Sequence, residues 1–168
     1  MIAADLEEVL VIEGESFSHP WSRRNFLEEL DRGTLGRCLV SEIGEGSGDD
    51  SRVSVEMRIC GYIMAWFVAD EVHITNLAVA SRHRKRGVAR SLIQRLIDDA
   101  VGEGAGWCVL EVRESNLAAR SLYEGMGFHH LGVRRRYYRN GEDALVMGKE
   151  LRARTESDEQ DEDGTADP

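Results

Sequence analysis

The chain reads as a mixed α/β domain, one sheet with helices packed on its faces. Three observations predict it. Its 168 residues suffice for one domain with a real core and not comfortably for two. Strand-like apolar runs alternate with segments whose apolar positions recur every three or four residues. The order is helix, helix, three strands, helix, strand, helix, two strands, which lays helices against a sheet.

A short helix is expected over Leu6–Ser16. A second follows "HPWS", where Ser22 is placed to cap it and Phe26, Leu27 and Leu30 fall at helical spacing. "RCLVSEI" reads as the first strand. "GEGSGDDSR" reads as a flexible loop from its Gly, Ser and Asp, and no role follows for its residues 44–50. "RICGYIMAWFV" and "VHITNLAVA" are two strands joined by a turn at Ala69–Glu71. Next, Val88, Leu92, Ile93, Leu96, Ile97 and Ala100 line one helical face, which Gly102, Gly104 and Gly106 terminate. "WCVLEVR" is a short buried strand. "SNLAARSLYEGMG" is a helix, with Ser115 or Asn116 as its N-cap and Gly125 or Gly127 near its end. "FHHLGVRRRYY" and "DALVMGKEL" are strands about the turn "RNGED". The domain is therefore placed at residues 1–151. Residues 152–168 are charged, almost free of large apolar side chains, and expected to be disordered.

Composition excludes several classes. The net charge is −10, and the stretch from Leu151 to Pro168, with seven acids and two arginines, carries half of it. Such acidity argues against general nucleic-acid binding. No apolar run approaches the roughly 18 residues of a membrane span. The start, "MIAADLEEVLVIEGESF", is acidic where a signal peptide is basic and apolar, so a cytoplasmic protein is expected. Cys38, Cys60 and Cys108 lie far apart in strand-like runs and read as buried reduced thiols. No metal site emerges, since His19, His73, His83, His129 and His130 are scattered.

Against this acidity, "RKRGVARSLIQRLIDDA" places four cations within seven residues at the start of a helix. A helix N-terminus offers unpaired N–H groups and partial positive charge, and a glycine there lets an anion approach the backbone. Gly87 lies at the junction with Ala89 two residues on, and Arg84, Lys85, Arg86 and Arg90 surround it. Both GxxxxGK(S/T) and GxGxxG are absent. Spacing alone leaves open a phosphate site and a solvated cationic loop.

"NLAVASRHRKRGVARSLIQRLI" resembles the acetyl-CoA motif of the Gcn5-related N-acetyltransferases, (Q/R)xxGx(G/A), with Ala89 at the last position. "LEVRESNLAARSLYEGMGF", "HPWSRRNF" and "VRRRYYRNGEDALVM" are similar to the bacterial ribosomal-protein alanine N-acetyltransferases within it. The resemblance spans about residues 3–151. It implies a mixed, mostly antiparallel sheet flanked by helices, with acetyl-CoA as cosubstrate and no metal. It places pantetheine contacts on the strand at Leu77, Ala78 and Val79 and pyrophosphate contacts at Lys85, Arg86, Gly87, Val88, Ala89 and Arg90.

The resemblance also implies Glu111 as base and Tyr123 as acid. An α-amino group, of pKa ~7.7–8.0, must lose a proton before it attacks a thioester, and such acid–base help is worth roughly 10²–10⁴ in rate. Glu111 is flanked by apolar residues. Asn116 and Tyr123, seven apart, share a helix face, so Asn116 can bond the pantetheine while Tyr123 reaches the sulfur. The residues alone leave open a Glu111 paired with an arginine and a Tyr123 that only packs in the core. Tyr137, Tyr138 and Trp21 are expected to wall the acceptor site. Direct transfer in a ternary complex to the N-terminal alanine, or a similar small residue, of a ribosomal protein is the expected reaction. A lysine or small-amine acceptor and a non-catalytic coenzyme sensor are the alternatives. The acidic tail reads as a tether to basic proteins or as a solubilising end, and oligomeric state stays open.

Overall fold

The computed structural model describes residues 1–42 and 58–151, so the expectations for the loop at 44–52 and the tail at 152–168 lie outside the described residues. The chain opens with α1 (Leu6–Ser16) and α2 (Arg23–Leu30). Ser22 caps α2. Its side chain accepts from the Asn25 N–H while Asn25 Oδ1 accepts from the Ser22 N–H at 2.9 Å, so two helix-end donors are satisfied reciprocally.

Strands β1 (Gly36–Glu42), β2 (Ile59–Val68) and β3 (Glu71–Val79) follow as antiparallel neighbours. Helix α3 (Val88–Gly102) then crosses to β4 (Trp107–Arg113), which lies parallel to β3. Such a pair needs a crossover, and α3 supplies it. Helix α4 (Leu117–Glu124) leads to β5 (His129–Arg134) and β6 (Ala144–Glu150). The strand order is β1-β2-β3-β4-β6-β5. The sheet is mixed and mostly antiparallel with helices on both faces, as expected.

The last hairpin differs from its sequence reading. Strand β5 stops at Arg134 rather than running to Tyr138. Asp143 explains this. Its carboxylate accepts from the Arg136 N–H and from the Arg135 guanidinium, each at 2.7 Å, and Arg136 adopts φ 50°. A left-handed residue with its N–H held by a side chain leaves the ladder. Tyr137 and Tyr138 therefore belong to the connection between β5 and β6.

Two cores form, one on each face. Leu6, Val9 and Ile12 of α1 and Phe26 of α2 pack on Tyr62, Met64 and Ala78. Leu92, Ile93 and Leu96 of α3 pack on Ile63, Ile74, Cys108 and Leu110. Strand β2 is buried on both faces, which is why its sequence is a continuous apolar run. Strand β4 alternates: Cys108, Leu110 and Val112 enter the α3/α4 core, so Glu111 faces the α1 side.

One irregularity positions the site. Pairing of β3 with β4 runs from Glu71↔Trp107 to Ile74↔Leu110 and stops there, although both strands continue. In the β2–β3 ladder Met64 faces Asn76 while Ala65 faces Ile74, so Thr75 is an extra residue. The Thr75 hydroxyl donates to the Met64 carbonyl at 3.2 Å. A bulge of this kind bends its strand. It turns the second half of β3 away from β4 and opens a wedge in the sheet.

Candidate active site

One side of the wedge is the backbone of β3. The Ala80 N–H donates to the Cys60 carbonyl at 2.9 Å, which fixes the phase of the antiparallel ladder. By alternation the Ala78 peptide groups face β2, while those of Leu77 and Val79 face the wedge. The Val79 carbonyl is taken by Arg84 Nε at 3.0 Å, and the same guanidinium reaches Ser16 Oγ at 3.1 Å. Arg84 therefore fastens the end of β3 to α1.

The turn into α3 uses two left-handed residues, Lys85 at φ 61° and Gly87 at φ 86°. Nothing lies within 4 Å of where a Cβ on Gly87 would sit, so its glycine answers to conformation and leaves the space above it open. The first bond of the helix is Ser91 N–H to the Gly87 carbonyl, at 2.9 Å. The N–H groups of Val88, Ala89 and Arg90 consequently lack intrahelical partners. Lys85, Arg86 and Arg90 are exposed around them, and Arg90 also donates to the Gly125 carbonyl at 3.2 Å, linking the start of α3 to the end of α4. Gly61 of β2 permits this closeness: a Cβ there would meet Val88 Cγ1 and the Ala78 carbonyl at 3.0 Å.

The other side of the wedge carries ionisable groups. Glu111 lies 3.2 Å from Arg134 of β5, the arginine partner that the residues alone had left open. Its side chain keeps 20% exposure and so remains reachable. Tyr123, on α4, comes from the opposite face. Its ring packs on Phe128 at 5.7 Å, and the Phe128 N–H returns to the Tyr123 carbonyl at 3.0 Å across the left-handed Gly127. Burial raises the Tyr123 hydroxyl well above the usual phenol range, with further contributions from Cys108 and Tyr138, so it stays protonated. Tyr123 as a whole is buried, with 7% exposure. Asn116 is the N-cap of α4: its Oδ1 accepts from the Ala119 N–H at 3.1 Å. Cys108 points away from Glu111, and burial pushes its thiol up to about 12, which makes it a poor nucleophile.

Tyr138 lies in the connection between β5 and β6, under the Arg113 guanidinium at 3.7 Å. Burial raises its hydroxyl to about 12; Arg113 works against this, and the charges of Tyr137, Glu111 and Glu142 reinforce it. Tyr137 stacks edge-on against Tyr138 at 5.2 Å and is half exposed. Trp21 approaches from the α1–α2 turn. It packs on Phe26 at 5.6 Å, and its N–H donates to Glu13 at 2.7 Å. Glu13 is buried, and it also receives the Tyr62 hydroxyl and, at 3.3 Å, the Asn76 amide of β3. This carboxylate ties the Trp21 turn to the bulged strand.

Thus Leu77, Val79 and Glu111 lie at the wedge, Tyr123 lies in the core on the opposite face of the sheet, Tyr138 lies in the β5–β6 connection, and residues 85–90 form one turn at the start of α3. Ala78 lies in the same strand with its peptide turned to β2. Four residues that hold the site escaped the sequence reading: Glu13, Arg113, Arg134 and Glu142. Glu13 had a signal, an acid on the apolar face of α1 beside Val9 and Ile12. Arg134 and Glu142 lie in the stretch "VRRRYYRNGEDALVM" that the resemblance marks, but neither they nor Arg113 could be given a partner, since their partners are distant in sequence. Among the described residues no group of three or more His, Cys, Asp or Glu could hold a metal ion, and no helix is long and apolar enough to cross a membrane.

Comparison with known proteins bears on what this arrangement is. The chain is 32% identical over 146 residues to the ribosomal protein bS18-alanine N-acetyltransferase of Salmonella typhimurium, covering 85% of this chain and 89% of that one. It is 30% identical to the Escherichia coli K12 enzyme of the same name, with the same coverage. The crystal structure of the ribosomal-protein-S18-alanine N-acetyltransferase from Escherichia coli superposes with a TM-score of 0.77 at 29% identity, covering 93% of this chain and 94% of that one. Residues 6–128 match the acetyltransferase (GNAT) family. The chain therefore belongs to that family of acetyl-CoA-dependent acetyltransferases, and within it closely resembles the ribosomal-protein alanine N-acetyltransferases.

Proposed function

We propose that the protein transfers the acetyl group of acetyl-CoA to the α-amino group of a protein N-terminus, an alanine or similar small residue of a ribosomal protein, in the cytoplasm. One observation carries the reading. Glu111, where the β3–β4 pairing ends, and Tyr123, in the α3/α4 core, lie on opposite faces of the sheet, an arrangement that lets two reactants meet from either side. That geometry suits direct transfer in a ternary complex and asks for no acyl-enzyme.

In this reading the unpaired N–H groups of Val88, Ala89 and Arg90, with Lys85, Arg86 and Gly87, hold the coenzyme's pyrophosphate. The wedge-facing peptide groups of Leu77 and the N–H of Val79 hold the pantetheine, beside Ala78 in the same strand, and Asn116 adds its side-chain amide from the start of α4. Glu111 takes a proton from the incoming ammonium, directly or through water. The neutral amine attacks the thioester carbonyl, and the Tyr123 hydroxyl donates to the departing thiolate. Trp21, Tyr137 and Tyr138 wall the acceptor's path. The resemblance to the bS18-alanine enzymes supports the choice of acceptor.

The test is mass spectrometry on two peptides incubated with acetyl-CoA. One begins with a free Ala-Arg; the other has a blocked N-terminus and an internal lysine. Acetylation of the first alone, lost by about 10²-fold or more in Glu111→Gln, is the expected result. Modification of the second alone would move the protein to lysine acetylation and end the N-terminal reading.

A further inference from the structure

The Glu142 carboxylate joins three segments. Its Oε1 accepts from the Ser115 N–H at 3.0 Å and the Ser115 hydroxyl at 2.5 Å. Its Oε2 accepts from Arg113 Nη1 at 2.8 Å. Ser115 precedes the cap of α4, Arg113 ends β4, and Glu142 lies in the connection between β5 and β6. The Arg113 guanidinium in turn covers the Tyr138 ring, 3.7 Å from its centroid, and the Tyr138 N–H donates to the Glu142 carbonyl at 3.1 Å. Tyr138 is thus fixed twice through one residue, at its backbone directly and at its ring through Arg113. A hairpin connection closes with backbone bonds alone. This one adds charge-assisted bonds, the stronger kind, and they converge on Tyr138, whose ring stacks under Arg113 and against Tyr137. A shallow groove of about 520 Å³, lined by Glu114, Ser115, Asn140, Gly141 and Glu142, opens over the clamp.

We propose that Glu142 is a positioning residue, which through Arg113 sets the Tyr138 ring against the incoming acceptor. This rests on the acetyl-transfer reading above. Glu142 touches neither the reacting amine nor the coenzyme, so its effect should fall on acceptor binding. Glutamine at this position still accepts from Ser115 but presents an amide donor to Arg113, so it cuts the arm that reaches Tyr138.

The experiment compares the full-length protein with Glu142→Ala, Glu142→Gln, Arg113→Gln and the double variant Arg113→Gln/Glu142→Gln. The Ala-Arg peptide is the acceptor. Acceptor KM is expected to rise about tenfold in each single variant, with kcat within about threefold and the Kd for acetyl-CoA within about twofold. The double variant should show no further rise, because both changes cut one arm. Amide exchange at Ser115 and Tyr138 should quicken about tenfold in Glu142→Ala while β4 is unchanged. An unmoved acceptor KM in folded Glu142→Ala, additive effects in the double variant, or a parallel loss of acetyl-CoA affinity would each overturn the proposal. If the unaltered protein binds acetyl-CoA but acetylates no N-terminal peptide, the acetyl-transfer reading fails on its own. Amide exchange then decides whether Glu142 holds the connection, and unchanged exchange overturns that too.

Discussion

The turn into α3 and the connection between β5 and β6 serve two ends of one candidate site, yet they are held in opposite ways. The cradle at 85–90 is made of backbone. Its donors are peptide N–H groups, and its shape comes from two left-handed residues and the tight seat of α3 over Gly61. The rim at the β5–β6 connection, the proposed acceptor side, is made of side chains. Glu142 ties Arg113 and Ser115, Asp143 ties Arg135 and Arg136, and Arg113 stacks on Tyr138. A backbone site resists truncation of side chains and fails when a dihedral angle is denied. A side-chain site fails one contact at a time.

Tyr123 belongs to neither region, since it sits in the α3/α4 core against Phe128, and it should show the largest effect. Tyr123→Phe keeps the ring on Phe128 and removes only the hydroxyl. We expect kcat to fall about 10²-fold with the Kd for acetyl-CoA unchanged, measured by steady-state kinetics and calorimetry. Loss of coenzyme affinity instead would assign Tyr123 to the cradle.

The next test is aimed at the backbone region. In Gly87→Ala a left-handed non-glycine costs ~1–2 kcal/mol, and the added methyl enters space that is open above the turn. Acetyl-CoA should bind about tenfold more weakly, while the acceptor KM measured at saturating acetyl-CoA stays put. Equal damage to both ligands would show that the two ends are coupled rather than separately built.

The same contrast explains what was legible in the sequence. Backbone devices write themselves into local sequence: a glycine with a cation run at a helix start marked the turn at 85–90, Ser22 marked a cap, and "WCVLEVR" marked a strand. The element order and most boundaries followed from the same local signals. The rim did not, because its bonds run between residues distant in the chain. Arg113 and Glu142 are 29 residues apart, and nothing in either neighbourhood names the other. The early end of β5 was missed for that reason, since Asp143, seven residues beyond Arg136, decides it. The bulge at Thr75, on which the wedge depends, is also a matter of register between strands and leaves no mark in β3 alone.

The smallest effect expected is one of pH, and it tests the rim without any mutation. The bonds from Ser115 and Arg113 hold the Glu142 carboxyl down at about 2, against an ordinary 4.5, and the Arg136 N–H and Arg135 lower Asp143 likewise. A carboxyl whose native pKa is depressed stabilises the folded form above its unfolded pKa, and that contribution is lost as pH falls through the native one. The rim should therefore be intact from neutral pH to about 4.5 and loosen below it. Carbon NMR titration of the Glu142 and Asp143 carboxyls checks this, with Glu142 expected to reach its midpoint near 2. A midpoint near 4.5 would mean that the clamp does not persist in solution. With the rim already complete at pH 5, loss of acetyl transfer between pH 8 and 5 cannot come from the rim. In the proposed mechanism such a loss reports proton transfer at the acceptor amine, whose pKa of ~7.7–8.0 lies at the top of that range, or at the groups that serve it.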